Sequence, residues 1–265
     1  MSKISVTTIA GLTSGGDANT VKIEAGDDFT VDTNVLKVDA TNNRVGVVNA
    51  TPLLPLDITG SNAVPATSGT TQTGSLRLGQ TGGNGVLDMG FETTNSVGWI
   101  QPTSKANLAT NYGLKLNPNG GAVLMPNQPV FMATAESTIT LTNGGFAEIT
   151  GFSNATVNVG SHYNTGTGRF TAPVAGTYQF AVASIGNANA DVYRFRFYKN
   201  GSSLHNYELR IHTEGGAYGT NGEMNITTTL AASDYISIFG RSDGGNNAYA
   251  DAGYRYTYFR GHLMG

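Results

Sequence analysis

Along most of the chain apolar and polar residues alternate, and glycine-rich turns cut the alternation at short intervals. No long segment carries the beat of an amphipathic helix, so the pattern predicts an all-β protein. The clearest run is DVYRFRFYKNGSSLHNYELRI, beginning at Asp191. A period of two puts Tyr193, Phe195 and Phe197 on one face of a strand and Arg194 and Arg196 on the other. Asn200-Gly201 between two such runs predicts a type I′ hairpin, with Leu204–Ile211 as the return strand. Further strands are expected at Met224–Leu230, Tyr235–Phe239 and Tyr254–Leu263, the last presenting Tyr254, Tyr256 and Tyr258 as a one-faced row. Each buried aromatic removes ~150–250 Å² from water, and two sheets packed face to face are the expected way to bury several such rows.

The first half has a different texture. Residues 1–34 alternate only briefly, at Val21, Ile23 and Ala25 and then at Phe29, Val31 and Thr33. They read either as a loose tail or as an anchor that orders on a partner. LKVDATNNRVGVV from Leu36 and LKLNPNGGAVLMP from Leu114 align without gaps. Both predict strand, turn, strand, with Asn42-Asn43 and Gly120-Gly121 at matching turn positions. Residues 68–75 form a linker, followed by strands near Ser75–Leu78, Val86–Phe91 and Gly98–Gln101, with Trp99 as a core filler. The chain therefore divides into an N-terminal segment (1–34), a β-rich shaft or knob (35–127) and a longer-stranded head (128–265).

Composition removes several function classes. Charged residues are 12% of the chain, against a usual ~25%, and the net charge is −3. The 15 Lys and Arg form no basic stripe of the kind a nucleic-acid binder carries. Cysteine is absent, which excludes disulfides and thiolate metal sites. The N-terminus lacks a signal-peptide pattern, and no run approaches the ~18 apolar residues of a membrane span. A soluble protein made in a cytoplasm is expected, and the Asn-x-Ser/Thr triplets at Asn49, Asn154, Asn200 and Asn225 then read as chance.

The stretch YNTGTGRFTAPVAGTYQF, from Tyr163, resembles the signature of the complement C1q globular-head family, which belongs with the tumour-necrosis-factor-like jelly rolls. Gly168, Phe170, Pro173, Gly176, Tyr178 and Phe180 match it in order and spacing. Pro173, which withdraws a backbone donor, is expected to stop the strand there, and Gly176 to make the turn that lets Phe170 and Tyr178 face one core. Pro129–Phe131 is similar to that family's first strand, Lys199–Gly201 to its central hairpin, Leu230–Ile238 to its acidic turn and following strand, and Tyr256–Met264 to its closing strand. Arg260 and Ser233-Asp234 depart from the family's usual Ser and Gly-Asp. The resemblance implies a jelly-roll sandwich and assembly as a homotrimer. In the middle of the chain, Val45-Gly46-Val47, Thr51-Pro52 and Leu56-Asp57-Ile58 resemble a unit of bacteriophage tail fibres, and Trp99–Gln101 with Tyr112–Gly121 resemble a second piece of such fibres.

No motif of nucleotide, zinc-protease, serine-hydrolase or EF-hand chemistry is present, and no cofactor or enzyme activity is expected. GQTGGNG (79–85) reads as a turn, since no helix follows it to form a phosphate site. His162, His205, His212 and His262 are dispersed. Asp243 and Asp251 flank GGNNAYA and are the only acidic pair suggestive of calcium, short of a complete oxygen shell. The loops 212–222 and 241–253 each hold one tyrosine, Tyr218 and Tyr249, among small polar residues. That mixture suits contact with a glycan or protein surface.

The expected protein is a trimeric fibre or spike of a phage virion. Its residues 1–34 would dock on other virion proteins and its head would contact the host surface, with no nucleic acid bound and no membrane inserted. A capsid decoration or head-fibre protein is the alternative, and a polysaccharide-degrading spike a third.

Overall fold

A computed structural model describes residues 29–31, 35–39, 41–94, 96–186, 190–204, 207–214, 220–249 and 256–264. The chain forms two compact units, divided between Val123 and Leu124, and no α-helix occurs among the described residues.

The first unit holds two four-stranded sheets. One runs in sequence order through β1 (Phe29–Val31), β2 (Leu36–Asp39), β3 (Arg44–Val47) and β4 (Leu56–Ile58). The β2–β3 hairpin is the one expected. Asp39 accepts from the backbone and side-chain amides of Asn42, and Asn43 takes φ 56°. β4 returns parallel to β3. Its connection is tied by Arg44, which donates to the Pro52 carbonyl, and by Asp57, which accepts from the Leu53 amide. The second sheet is an antiparallel meander of β5 (Leu76–Gly79), β6 (Gly85–Glu92), β7 (Val97–Ser104) and β8 (Asn107–Asn111). Residues 79–85 make the β5–β6 turn, as expected.

Two expectations for this unit fail. Residues 112–129 contain no strand, so the second echo is not a hairpin. Pro118 stands where the first copy has Ala40, fixing φ and removing a ladder donor. Gly120 and Gly121 then both turn left-handed, at φ 108° and 97°. Trp99 is only half buried, and its indole nitrogen donates to the Ala63 carbonyl at 2.9 Å.

The second unit is a two-sheet jelly roll. One sheet orders β11 (Asn154–Asn158), β9 (Val130–Thr134), β21 (Tyr258–Leu263), β14 (Gly176–Gly186) and β18 (Asn221–Leu230), with β20 (Ala248–Tyr249) also on β14. The other orders β12 (Tyr163–Asn164), β13 (Arg169–Thr171), β19 (Tyr235–Ser242), β15 (Asp191–Lys199) and β16 (Ser202–Ser203), with β10 (Ala147–Glu148) on β19 and β17 (Leu209–Thr213) on β15. Asn200 and Gly201 take φ 50° and 78°, the type I′ pattern expected there. The return is not one strand, however. It breaks after Ser203 and resumes at Leu209, where β17 pairs with the first half of β15.

Between the sheets lies an aromatic core. Phe131 of β9 stacks on Tyr163 and Phe170, with centroids at 4.7 and 5.0 Å, and meets Phe259 edge-on at 4.8 Å. Tyr193, Phe195 and Phe197 are all buried against this cluster. The expected tyrosine row of the last strand is not part of it. Tyr256 and Tyr258 point away from the core, and β21 buries Phe259 and Gly261 instead; Tyr254 lies outside the described residues. Gly261 is required by space, because a Cβ there would stand 2.3 Å from the Phe180 ring and 2.9 Å from that of Phe131.

The corner between β13 and β14 works as the sequence suggests, with one change. Pro173 ends the β13 ladder, and Tyr178 and Phe170 face each other across the corner at 5.6 Å. The Tyr178 hydroxyl donates back to the Val174 carbonyl at 2.8 Å. Gly176, expected to make the turn, is instead the first strand residue, paired with Leu230 and without positive φ. The residue that needs to be glycine is Gly168, at φ 70°, where a Cβ would lie 2.3 Å from the Ile149 carbonyl oxygen.

Phe131→Ala should lower the stability of the head by ~3–5 kcal/mol through transfer and cavity terms. Gly261→Ala should lower it by ~1–3 kcal/mol through overpacking. Because Trp99 is in the other unit, the transition is best followed in urea by near-UV circular dichroism of the tyrosines. An unchanged midpoint in the Phe131 variant would show that the aromatic cluster does not hold the sheets together.

Candidate functional site

Three surfaces of the head carry chemistry. The first is the outward face of the six-stranded sheet. Strand alternation turns Val130, Met132, Val157, Gln179, Arg260 and His262 away from the core, around small residues such as Ala181. They line a shallow groove of about 350 Å³. Arg260 also pairs with Glu223 at 2.8 Å and lies 5.5 Å over the Tyr258 ring. The second surface is at the edge of the sandwich, where Leu204, Tyr207, Met224 and Ile226 line a groove of about 360 Å³.

The third surface is the outward face of the seven-stranded sheet. Register places Arg210, Arg194 and Arg241 directly opposite one another on β17, β15 and β19. Like charges in such positions repel, and two carboxylates offset them. Glu208 accepts from Arg194 and Arg196, each at 2.9 Å, and from Arg210. Asp243 accepts from Arg194 and Arg241. Arg196 and Arg241 lie over the Phe146 ring at 4.1 and 5.7 Å, and Tyr198 stacks on Phe239 at 3.7 Å. Burial opposes ionisation of Glu208, but the Arg210, Arg194 and Arg196 hydrogen bonds overcome it and hold the carboxyl down at about 2. Arg194 is held above its ordinary value by Asp243 and then Glu208.

The acid that shapes the neighbouring loop is one that sequence reasoning missed. Asp191, buried at the start of β15, accepts from Ser242 Oγ, from the Val192, Gly244 and Asn246 amides, and from Asn246 Nδ2. Burial raises its pKa; the Ser242, Gly244, Asn246 and Val192 donors outweigh that and leave it below the usual range. Only an aspartate preceding an alternating run was visible in the sequence, and its loop partners Ser242, Gly244 and Asn246 are more than fifty residues away.

Of the two calcium candidates, Asp243 is engaged by arginines. Two guanidiniums occupy that carboxylate and would repel a divalent cation; Asp251 lies outside the described residues. The backbone of Tyr249 pairs with Ile185 in β20, so the expected loop 241–253 is partly strand. Tyr218 lies outside the described residues, as does His205. His212 and His262 fall on separate strands, β17 and β21, and His162 immediately precedes β12. Among the described residues no group of His, Asp or Glu is arranged to hold a metal ion. No helix is long and apolar enough to cross a membrane. Phe170, Pro173, Tyr178 and Phe180 lie at or beside the corner, and Gly168 at the β12–β13 turn, as fold residues rather than as a site.

Two antiparallel sheets in this order, closed by an aromatic core and bearing no assembled catalytic group among the described residues, define a jelly roll of the C1q and tumour-necrosis-factor class. A family model for the C1q domain matches residues 130–264, and the chain belongs to that family. Such domains are typically binding modules rather than enzymes, and they commonly form trimers. Among solved structures, the chain is similar to the globular domain of zebrafish complement 1qA protein, at 15% identity over 52% of this chain and 98% of that one, with TM-score 0.37. It is also similar to murine APRIL, at 8% identity over 52% of this chain and 99% of that one, with TM-score 0.40. No curated protein matches the chain.

Two expected outcomes follow from the charges. The folded pKa of Glu208 lies below its ordinary value of 4.5, so its contribution is complete above that value and is lost as pH falls toward about 2. Calorimetry should show the melting temperature of the head dropping between about pH 5 and pH 2, and Glu208→Gln should lower it at neutral pH while flattening that acid limb. Asp191→Ala leaves several buried donors unpaired and should remove ~1–3 kcal/mol. Amide exchange at Gly244 and Asn246 should accelerate ahead of the core strands, and exchange unchanged there would mean that the carboxylate does not organise the loop.

Proposed function

We propose that this protein is a homotrimeric virion fibre or spike protein of a bacteriophage, with the C1q-like head displayed for contact with the host surface. The observation that carries the reading is the state of the first unit. Among the described residues its only large buried apolar side chains are Val86 and Leu108, while Val48, Leu53, Leu54, Leu56, Phe91 and Ile100 are exposed. A monomer rarely presents so much apolar surface unless something covers it. Val48, Leu53 and Leu54, in the connection between β3 and β4, and Leu56 of β4 lie in the stretch whose sequence resembles a tail-fibre unit. Interwound copies of the same chain would bury it.

The head supports the same assembly. A cyclic trimer needs two different, complementary patches on each protomer. The groove on the six-stranded sheet and the edge groove beside Tyr207, which meet at Asn225, would supply one each, and a closed ring would cover both. The seven-stranded sheet is left facing outward. Three heads on one shaft, and several shafts on one particle, would turn weak contacts into avidity gains of ~10²–10⁴. Residues 1–34 would dock on other virion proteins, after synthesis in the host cytoplasm.

Multi-angle light scattering on the full chain should give about three times 27.6 kDa, with SDS-resistant trimers before boiling. A stable monomer at micromolar concentration would overturn the assembly. Gold-labelled antibody against the head should decorate the tail region of particles. Labelling of the capsid would assign the protein to particle decoration instead, and no labelling of any particle would remove the virion role.

A further inference from the structure

The outward face of the seven-stranded sheet is built against its own stability. Three arginines stand in one cross-strand row, Arg210, Arg194 and Arg241, on strands that a sheet spaces ~4.8 Å apart. Arg196 lies one pleat along the same face. Four guanidiniums share two carboxylates, Glu208 and Asp243, in a chain whose net charge is negative. Neutral residues at these positions would remove the repulsion with no loss to the core, because all four side chains lie on the face away from it.

The arrangement also holds the guanidiniums still. Phe146 lies flat beneath Arg196 and beside Arg241, and the carboxylates fix Arg194 from both ends. Stacked, ion-paired arginines lose little further freedom on binding, and a guanidinium fork matches a carboxylate in two parallel hydrogen bonds. Only Nε of Arg210 is engaged by Glu208, so its Nη groups lie outside that pair, and more than half of its side chain is exposed. The Nε of Arg241 is buried and has no hydrogen-bond partner among the described residues. Tyr198 on Phe239 and the Phe146 ring supply flat apolar surface beside the charges.

We propose that this arginine row is the ligand-binding face of the head and that it takes an acidic polysaccharide carrying carboxylates on successive sugars. A linear polyanion lying across the strands meets one guanidinium per strand. Its carboxylates relieve the cross-strand repulsion, and sugar faces rest on the aromatic rings. This deepens the host-contact reading above, and it rests on that reading for its biological setting but not for its chemistry.

The test uses the purified full chain and isothermal titration calorimetry with oligogalacturonate, its methyl ester, dextran sulfate and neutral dextran. Oligogalacturonate should bind, more weakly as salt rises, and the methyl ester and neutral dextran should not. The Arg210→Gln/Arg241→Gln variant should bind at least tenfold more weakly while keeping its oligomeric state and melting transition. Lys115→Gln, which removes a positive charge from the first unit, should bind as the parent does. Oligogalacturonate bound no better than its methyl ester, or bound equally by the double arginine variant, would overturn the proposal. So would dextran sulfate binding alone, since the site would then not be one for carboxylates. Failure of glycan binding with particles still labelled would sink this inference and leave the virion role; binding without any labelled particle would do the reverse.

Discussion

Phe131 is the contact on which the head depends. It belongs to the six-stranded sheet, yet two of its three closest ring partners, Tyr163 and Phe170, belong to the seven-stranded one. Burying rings of this size supplies most of what can hold two sheets face to face. The demand propagates outward. Gly261 has no side chain because Phe131 and Phe180 fill the space. Tyr178 can be buried only because its hydroxyl turns back to the corner carbonyl of Val174. Gly168 lets the β12–β13 turn press against the Ile149 backbone and so delivers Phe170 to the cluster.

The first unit has no such centre, and the contrast gives the molecule its sense. A sheet whose apolar side chains remain exposed is not stable as an isolated object. Its fixed points are polar: Arg77 clasps buried Asp88 with two hydrogen bonds, and Arg44 and Asp57 bind loop backbone. These interactions set local geometry without supplying a hydrophobic interior. The head has its own core, whereas the described residues of the first unit leave much apolar surface exposed.

Charge is distributed in the same spirit. The jelly roll places its acids where they organise loops, as Asp191 does from inside, or where they restrain arginines, as Glu208 and Asp243 do from outside. Guanidiniums rather than ammonium groups occupy this face because a planar fork can stack on Phe146 and hydrogen-bond at the same time. A net-positive surface results, backed by the aromatic core.

Much of the fold was legible because β structure writes its period into sequence. Tyr193, Phe195 and Phe197 fell on one face and Arg194 and Arg196 on the other, as alternation requires, and Asn200-Gly201 could hardly make anything but its hairpin. The Pro173 break and the order of the C1q-like landmarks were equally local. What failed was whatever depended on a distant partner. Alternation cannot say which of its two faces is buried, so the tyrosines of the last strand looked like core until Phe259 met Phe131. An echo of residue types cannot show that Pro118 leaves its copy without a strand. Above all, partners far apart in sequence leave no local signal: Arg241 joined Arg194 and Arg210 in a row, and Asp191 became a loop anchor, only when pairing across the sheet brought them together. The sequence by itself determined strand, turn and hydrophobic alternation, because these rest on neighbours a few residues apart. Register and burial decided the surfaces, because those contacts exist only once the sheets have closed.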